Sequence, residues 1–364
     1  MALDENMGDL VSIVIPAYNA EIFIENTIQS IYDQTYRPIE IICVNDSSTD
    51  ATEDVVNRKF SSHPSGIMVR LVNLPKNGGT SNALNVGFSS SKGRFICWLS
   101  ADDLFISQEK LEIQVSAMKR DGSSWSFFWE NYSGEQVWNI KKIGFNREKP
   151  QDIIANFIFG RILRTIIQDP QALAAYLMLG NPVNGSSIMI TRSTFDRYGR
   201  FDPALRNIDP DGDILLRYSS LELKVSIIKG IKGVFYTQHS KQTSKKTHEM
   251  YVGCELTRIR ALNALATSHK LTGIIKKYEL FLPYLLLRDR FSKFPITAEL
   301  LSLYVLENKE KFDWFLVFMM KKVLKRAKSK IRSNGINIKD VSFMLSKIKK
   351  SPVYTDFVKL LDAQ

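Results

Sequence analysis

Cysteine is scarce. The three in 364 residues are Cys43, Cys97 and Cys254, and none has the paired spacing of a metal site or redox motif. Cys43 and Cys97 lie inside apolar runs, so buried, reduced thiols are expected. Long apolar runs are missing as well. A membrane-spanning helix needs about 20 such residues, and the longest candidates, 281–287 and 314–320, stop well short. The first ten residues hold Asp4, Glu5 and Asp9 and no basic residue, whereas a secretory signal opens on positive charge. No G-x-G-x-x-G turn follows the first apolar run, which removes a dinucleotide-dependent dehydrogenase. Internal repeats and low-complexity segments are also absent. These absences lead us to expect a cytosolic protein.

What is present is an ordinary globular composition, 44% hydrophobic and 24% charged, over a length that suits two domains. The net charge of +11 is unevenly placed. Residues 251–364 hold 22 Lys and Arg against 10 Asp and Glu, a net +12, which leaves the remainder at −1. A near-neutral body of residues 1–245 followed by a basic, helical C-terminal region, 246–364, is the expected division.

Within the first part, short β-branched runs alternate with helical periodicity. Strands are expected at 11–15, 39–44, 68–71 and 94–99, with helices through 20–33, 55–56 and 81–87 between them. An aromatic stretch, 125–138, reads as strand. Residues 153–179 read as helix, 187–190 as strand and 194–198 as helix. This order predicts an α/β fold with a mostly parallel, Rossmann-like sheet flanked by helices and a C-terminal α-helical appendage. In such sheets ligands bind at the carboxyl ends of strands. Asp46 and the run Ser100-Ala101-Asp102-Asp103 fall at two of those ends. Asp102 and Asp103 offer hard oxygen ligands for a divalent cation. A run from Ile208 to Asp213 adds Asp209, Asp211 and Asp213, any of which could accept a proton from an attacking hydroxyl.

Five segments in fixed order resemble the family 2 glycosyltransferases of GT-A fold, over about two thirds of the chain. They are Val11-Ser12-Ile13-Val14-Ile15-Pro16-Ala17-Tyr18-Asn19, then Val44-Asn45-Asp46-Ser47-Ser48-Thr49-Asp50, then Asn77-Gly78-Gly79 with Ala83-Leu84-Asn85-Val86-Gly87. Gly93 through Asp103 follows, and last Phe201-Asp202-Pro203-Ala204-Leu205 leading to Asp211 and Arg217. The resemblance implies an inverting enzyme that moves a sugar from a nucleotide-diphosphate sugar, UDP-linked by family frequency, to a glycan or lipid-linked acceptor. It places Tyr18 against the nucleotide base and Asp46 on the base edge, with Pro16, Ala17 and Asn19 shaping the pocket. It sets Lys76 on phosphate and Asp102 near the ribose or sugar. Asp103 would bind Mn²⁺ or Mg²⁺, joined by His239. The base six residues before the motif's arginine would be Asp211 ahead of Arg217, with Asp209 as second choice. Asn45, Ser100 and Pro210 stand where the family often has acidic residues.

The opening Pro16-Ala17-Tyr18-Asn19 differs from the glycine- and arginine-rich phosphate loop of nucleotide-sugar pyrophosphorylases. A degenerate, non-catalytic sugar-nucleotide binder or partner subunit is the competing reading, and retention of Asp46, Asp102, Asp103 and Asp211 argues against it. Residues 314–332 run from Trp314 and six apolar residues into seven Lys and Arg. Such a helix suits either an anionic membrane surface at the inner face of the cell or packing on the protein with a solvated basic face. No recognition motif for nucleic acid accompanies the charge.

Overall fold

The computed structural model describes residues 9–134, 169–178, 181, 183–240, 242, 247–278, 294–333, 346 and 351–363. Its chain divides into two compact units. The first comprises Met1–Arg161, Val183–Asp211 and Lys224–Gln242, and the second Ile162–Pro182, Gly212–Leu223 and Thr243–Gln364, as far as their residues are described.

The first unit is built on β1 (Val11–Ala17), β2 (Ile39–Asn45), β3 (Ile67–Asn73) and β4 (Phe95–Trp98). Every residue of β2 and β4, and all but Pro16 of β1, is buried. That is the burial expected of central parallel strands covered on both faces. Helices α1 (Ile24–Tyr32), α2 (Thr52–Phe60) and α3 (Thr80–Ser90) return the chain between these strands. Ile24, Thr27, Ile28 and Ile31 of α1 form one buried stripe at helical spacing. α3 presses so closely on β1 that a Cβ at Gly87 would stand 2.2 Å from Val14 Cγ1.

The chain then adds β5 (Leu104–Phe105), α4 (Lys110–Asp121), β6 (Trp125–Gly134), β7 (Met189–Thr191), α6 (Arg192–Tyr198) and β8 (Val225–Thr237), with α5 (Pro170–Leu177) belonging to the second unit. The eight strands form one sheet in the order β3-β2-β1-β4-β7-β6-β8-β5. Four of its seven pairings are parallel, and β4–β7, β6–β7 and β5–β8 are antiparallel. The parallel half follows the expected strands. The helix expected over 153–179 lies outside the described residues except at its end, where α5 is helical with Asp169 capping Gln171 N at 2.8 Å. Of the aromatic stretch 125–138, residues 125–134 are strand and the rest lie outside the described residues. Strand β8 has no counterpart among the expected elements, because Lys229, Gly230, Lys232 and Gly233 interrupt its apolar pattern.

Helix α7 (Pro210–Ser220) opens in the first unit and continues into the second after Asp211. The second unit otherwise consists of helices, including α8 (Thr247–Thr267), α9 (Leu271–Lys277), α10 (Pro295–Glu307), α11 (Trp314–Ser333) and α12 (Pro352–Asp362). Buried charges hold it together. Glu255 accepts from Ile296 N at 2.9 Å and Thr297 N at 3.0 Å, capping α10 from a distant helix. The Arg258 guanidinium lies 3.9 Å from the Phe294 ring centroid, and Arg217 pairs with Asp213 at 3.0 Å. No helix among the described residues is long and apolar enough to cross a membrane.

Candidate functional site

The parallel registers decide which loops meet. Ala17 pairs with Asn45 at the carboxyl ends of β1 and β2, so Tyr18-Asn19 and Asp46-Ser47-Ser48 emerge side by side. Asn19 Oδ1 accepts from Thr49 N at 2.8 Å, and Asn19 N donates to Ser48 Oγ at 3.0 Å. Asn19 and Ser47 both take left-handed backbone conformations, with φ of 51° and 62°. This leaves Tyr18 exposed on the rim above half-buried Pro16 and buried Ala17.

Asp46 is buried, and both carboxylate oxygens are engaged. Oδ1 accepts from Gly78 N and Oδ2 from Gly79 N, each at 2.8 Å. The loop it grips is gripped again from the far end of the motif series. Asn207 Oδ1 accepts from Thr80 N at 2.7 Å, and Arg206 donates to Asn77 Oδ1 at 3.1 Å. Gly79 has φ of 86°, and a Cβ there would lie 3.2 Å from the Arg206 backbone carbon, so this position requires glycine. Asn85 exchanges two hydrogen bonds with the backbone of Phe201, tying 201–205 to α3. Lys76 is exposed and has no ion pair among the described residues.

The acidic turn after β4 is fixed from three sides. Leu99 N donates to Val14 O, keeping the turn beside β1. Thr27 of α1 donates to Ala101 O at 2.8 Å. Leu104 of β5 pairs with Phe235 of β8, which brings the turn alongside the segment that follows β8. The two adjacent aspartates then part company. Asp103 is 1% exposed, accepts from Ser186 Oγ at 2.5 Å and accepts from Thr237 N at 3.2 Å. Burial, and then the neighbouring Asp102 charge, push the Asp103 carboxyl well above the ordinary carboxylate range, while its two donors oppose the shift.

Asp102 faces outward, with its side chain 26% exposed and Oδ2 2.9 Å from His239 Nε2. The His239 ring stacks on Phe23 at 4.5 Å, and its Nδ1 is buried without a hydrogen-bond partner. Gln242 braces this segment, accepting from His239 N at 3.2 Å and donating to Thr237 O. Ser186, Asn207 and Gln242 are absent from the sequence-based site. Each is a lone polar residue with no local pattern to single it out.

Among the described residues no three His, Cys, Asp or Glu side chains converge on one point. Asp102 Oδ2 and His239 Nε2, 2.9 Å apart, are the two groups at this turn that could hold a cation. That set fits a hard divalent cation whose shell is completed by phosphate oxygens and water, the usual arrangement when Mg²⁺ meets a nucleotide. Asp103, with both oxygens taken inside the protein, is turned away from such a role in this arrangement. Of the three carboxylates in 208–213, Asp209 and Asp213 are buried, while Asp211, the second residue of α7, is only half-buried.

With this geometry in view, residues 12–170 match the profile described as Glycosyl transferase family 2. That part of the chain is similar to glycosyl transferase family 2. A Rickettsia felis protein named an uncharacterized glycosyltransferase is 30% identical over 240 residues, 65% of this chain. The chain spans only 35% of that relative's own length. A Bacillus subtilis protein named putative teichuronic acid biosynthesis glycosyltransferase TuaG is 34% identical over 124 residues, 34% of this chain and 47% of that protein. Among solved structures, Staphylococcus aureus TarS residues 1–349 in complex with UDP-GlcNAc superpose with a TM-score of 0.55. The match covers 89% of this chain and 91% of that one at 15% identity, a likeness of fold. The chain thus has a GT-A-type fold, a mixed α/β sheet with helices on its faces.

Proposed function

We propose that the protein is an inverting glycosyltransferase that takes a hexosyl or N-acetylhexosaminyl group from a UDP-sugar and transfers it to a hydroxyl of a glycan or lipid-linked acceptor. The observation that carries this reading is the outward-facing Asp102–His239 pair at one strand end. It shares the family 2 domain with the Tyr18, Asn19 and Asp46 loops at the ends of β1 and β2. The donor class is supported by the UDP-GlcNAc complex of the TarS relative in fold. A role in polysaccharide synthesis is supported by the name of the Bacillus relative, a putative teichuronic acid biosynthesis glycosyltransferase.

In this reading Tyr18 lies on the base, and Pro16, Ala17 and Asn19 wall the pocket. Asp46 keeps the loop 77–79 in place and has lone pairs left for the base edge. Lys76 is free to reach a phosphate. We assign the cation to Asp102 and His239 rather than to Asp103, which instead shapes the turn. Bound there, Mn²⁺ or Mg²⁺ supplies positive charge to the departing diphosphate. Asp211 removes the acceptor's hydroxyl proton as that oxygen bonds to the anomeric carbon. The bond from that carbon to the diphosphate breaks, and the leaving group takes its electron pair. A single displacement inverts the anomeric centre.

The test is a panel of UDP-, GDP- and dTDP-sugars scored for binding and nucleoside-diphosphate release with Mn²⁺ or EDTA. We expect one donor to respond and EDTA to abolish its turnover. Asp211→Asn should lower transfer by about 10²–10⁴-fold with donor affinity nearly unchanged. Transfer at the wild-type rate by Asp211→Asn would remove the assigned base. Absence of any metal-dependent nucleotide binding would instead favour a degenerate binder.

A further inference from the structure

Helix α11 has two faces, and only one is covered. Leu316, Met320, Val323, Ala327 and Ile331 are all buried, at the 3–4-residue spacing of a single stripe. They pack within the second unit, where Ser302 of α10 reaches Met320 Sδ at 3.7 Å. At about 100° per residue, Trp314, Phe318, Lys321, Lys325, Lys328 and Arg332 fall on the opposite side. All six are exposed.

That outer stripe is unusual in two respects. Trp314 is 75% exposed, Phe318 47% and neighbouring Phe315 39%, so three of the seven exposed large hydrophobics among the described residues crowd its first two turns. Lys322 lies over the Phe318 ring at 4.6 Å, its stem continuing the apolar surface. Beyond the aromatics the helix carries seven Lys and Arg and no Asp or Glu in its 20 residues. Lys321, Lys325, Lys328 and Arg332 have no carboxylate partner among the described residues. Uncompensated charge and exposed rings along about 27 Å of one helix face call for a surface that is negative outside and apolar just beneath.

We propose that this face docks on an anionic phospholipid bilayer. Trp314, Phe315 and Phe318 enter the headgroup region, and Lys321, Lys325, Lys328 and Arg332 lie over the lipid phosphates. Tryptophan and phenylalanine suit that boundary because the rings bury apolar area while the indole N–H stays among polar groups. A nucleic acid would satisfy the charge but leaves the aromatic end without a stated role. The inference stands apart from the catalytic reading, since it uses no residue of the family 2 domain.

The full chain is floated with phosphatidylcholine vesicles that carry phosphatidylglycerol or lack it, at low and high salt. Two variants are compared with wild type, Trp314→Ser/Phe315→Ser/Phe318→Ser and Lys321→Gln/Lys325→Gln/Lys328→Gln/Arg332→Gln. All seven side chains are exposed, so circular dichroism and the unfolding midpoint should match wild type. We expect binding only to phosphatidylglycerol vesicles and its loss at high salt. Each removed charge should weaken binding about fivefold, and the aromatic variant should weaken it by about tenfold or more. The proposal is overturned by no flotation of wild type, by equal flotation on uncharged vesicles, or by wild-type binding in both folded variants. It is equally overturned if a DNA or RNA duplex binds more tightly than the vesicles and displaces them.

Discussion

Asp102 and Asp103 are neighbours in sequence and opposites in surroundings, so substituting each in turn separates structure from chemistry. Asp103→Ala removes the acceptor of the half-buried Thr237 amide and one of two acceptors of the buried Ser186 hydroxyl, which also reaches Ser100 Oγ at 3.2 Å. A buried donor left without a partner costs about 1–3 kcal/mol, and with the Ser186 hydroxyl keeping its second acceptor the loss is about that of one donor. For a body of about 150–250 residues, each kcal/mol lowers the midpoint by about 2–4 °C. A fall of about 2–12 °C is expected by differential scanning fluorimetry. Asp103→Asn should be mild, because the amide oxygen still accepts from Thr237 N and the Ser186 hydroxyl can rotate to accept from the amide nitrogen. Its nucleoside-diphosphate release should stay within a fewfold of wild type. Asp102→Asn should reverse this pattern. Its side chain is partly solvated and its one recorded partner is His239, so the midpoint should barely move. The Mn²⁺ concentration needed for half-maximal turnover should rise by about 100-fold or more, since even supporting residues around a metal are worth 10–100-fold. If Asp103→Asn lost metal-dependent turnover at an unchanged midpoint while Asp102→Asn kept it, the cation would belong on Asp103 and the division of roles would be wrong.

Two further predictions test the scaffold under the site. Gly79→Ala forces a side chain into a left-handed backbone conformation and against Arg206, loosening the amide that Asp46 accepts from. Nucleotide affinity measured by calorimetry should fall with little loss of secondary structure, and unchanged affinity would detach that loop from the nucleotide pocket. Lys110 is fully buried, donates to Gln114 Oε1 at 2.8 Å and lies 4.1 Å from the Phe105 ring centroid, and burial pulls its ammonium down to about 8. Its unfolded value is higher, 10.5, so between these pH values the unfolded chain binds more protons and stability rises with pH. Lys110→Met should flatten that rise and add up to about 3 kcal/mol near neutral pH. An identical pH profile in urea unfolding would show that Lys110 does not titrate in this window.

The parallel half of the sheet was legible because β1 and β2 are short β-branched runs and β4 a short apolar and aromatic one, each closed by turn residues. The acidic clusters were legible because strand ends are where such sheets bind ligands. Which of Asp102 and Asp103 faces outward was not legible. That choice depends on Leu104 pairing with Phe235, a contact with no local signature in sequence. The braces Ser186, Asn207 and Gln242 escaped for the same reason. Buried Lys110, Glu255 and Arg258 contradict the rule that charge lies outside, and only their partners, found far along the chain, explain them. On α11 the sequence offered packing and docking as alternatives; the helix buries one face and leaves the opposite one exposed, so packing does not use up the surface that docking would need.

The motif segments are better understood as one hydrogen-bonded assembly than as five contacts with a ligand. Asp46 holds the loop of the third segment, Asn207 and Arg206 hold that loop from the last segment, and Asn85 ties the last segment back to α3. Asp103 secures the turn on which Asp102 is displayed, through a serine and an amide brought from elsewhere in the chain. Buried Asp46 and Asp103 each spend their hydrogen-bonding capacity on backbone amides or a neighbouring hydroxyl, and each lies beside a more exposed residue, Ser47 or Asp102. A buried carboxylate without such partners would be strongly destabilising, so each must be matched residue by residue. Retention of a motif aspartate is therefore evidence for this scaffold first and for chemistry second, and the roles proposed for Asp102, His239 and Asp211 rest on the substitutions above rather than on the motif.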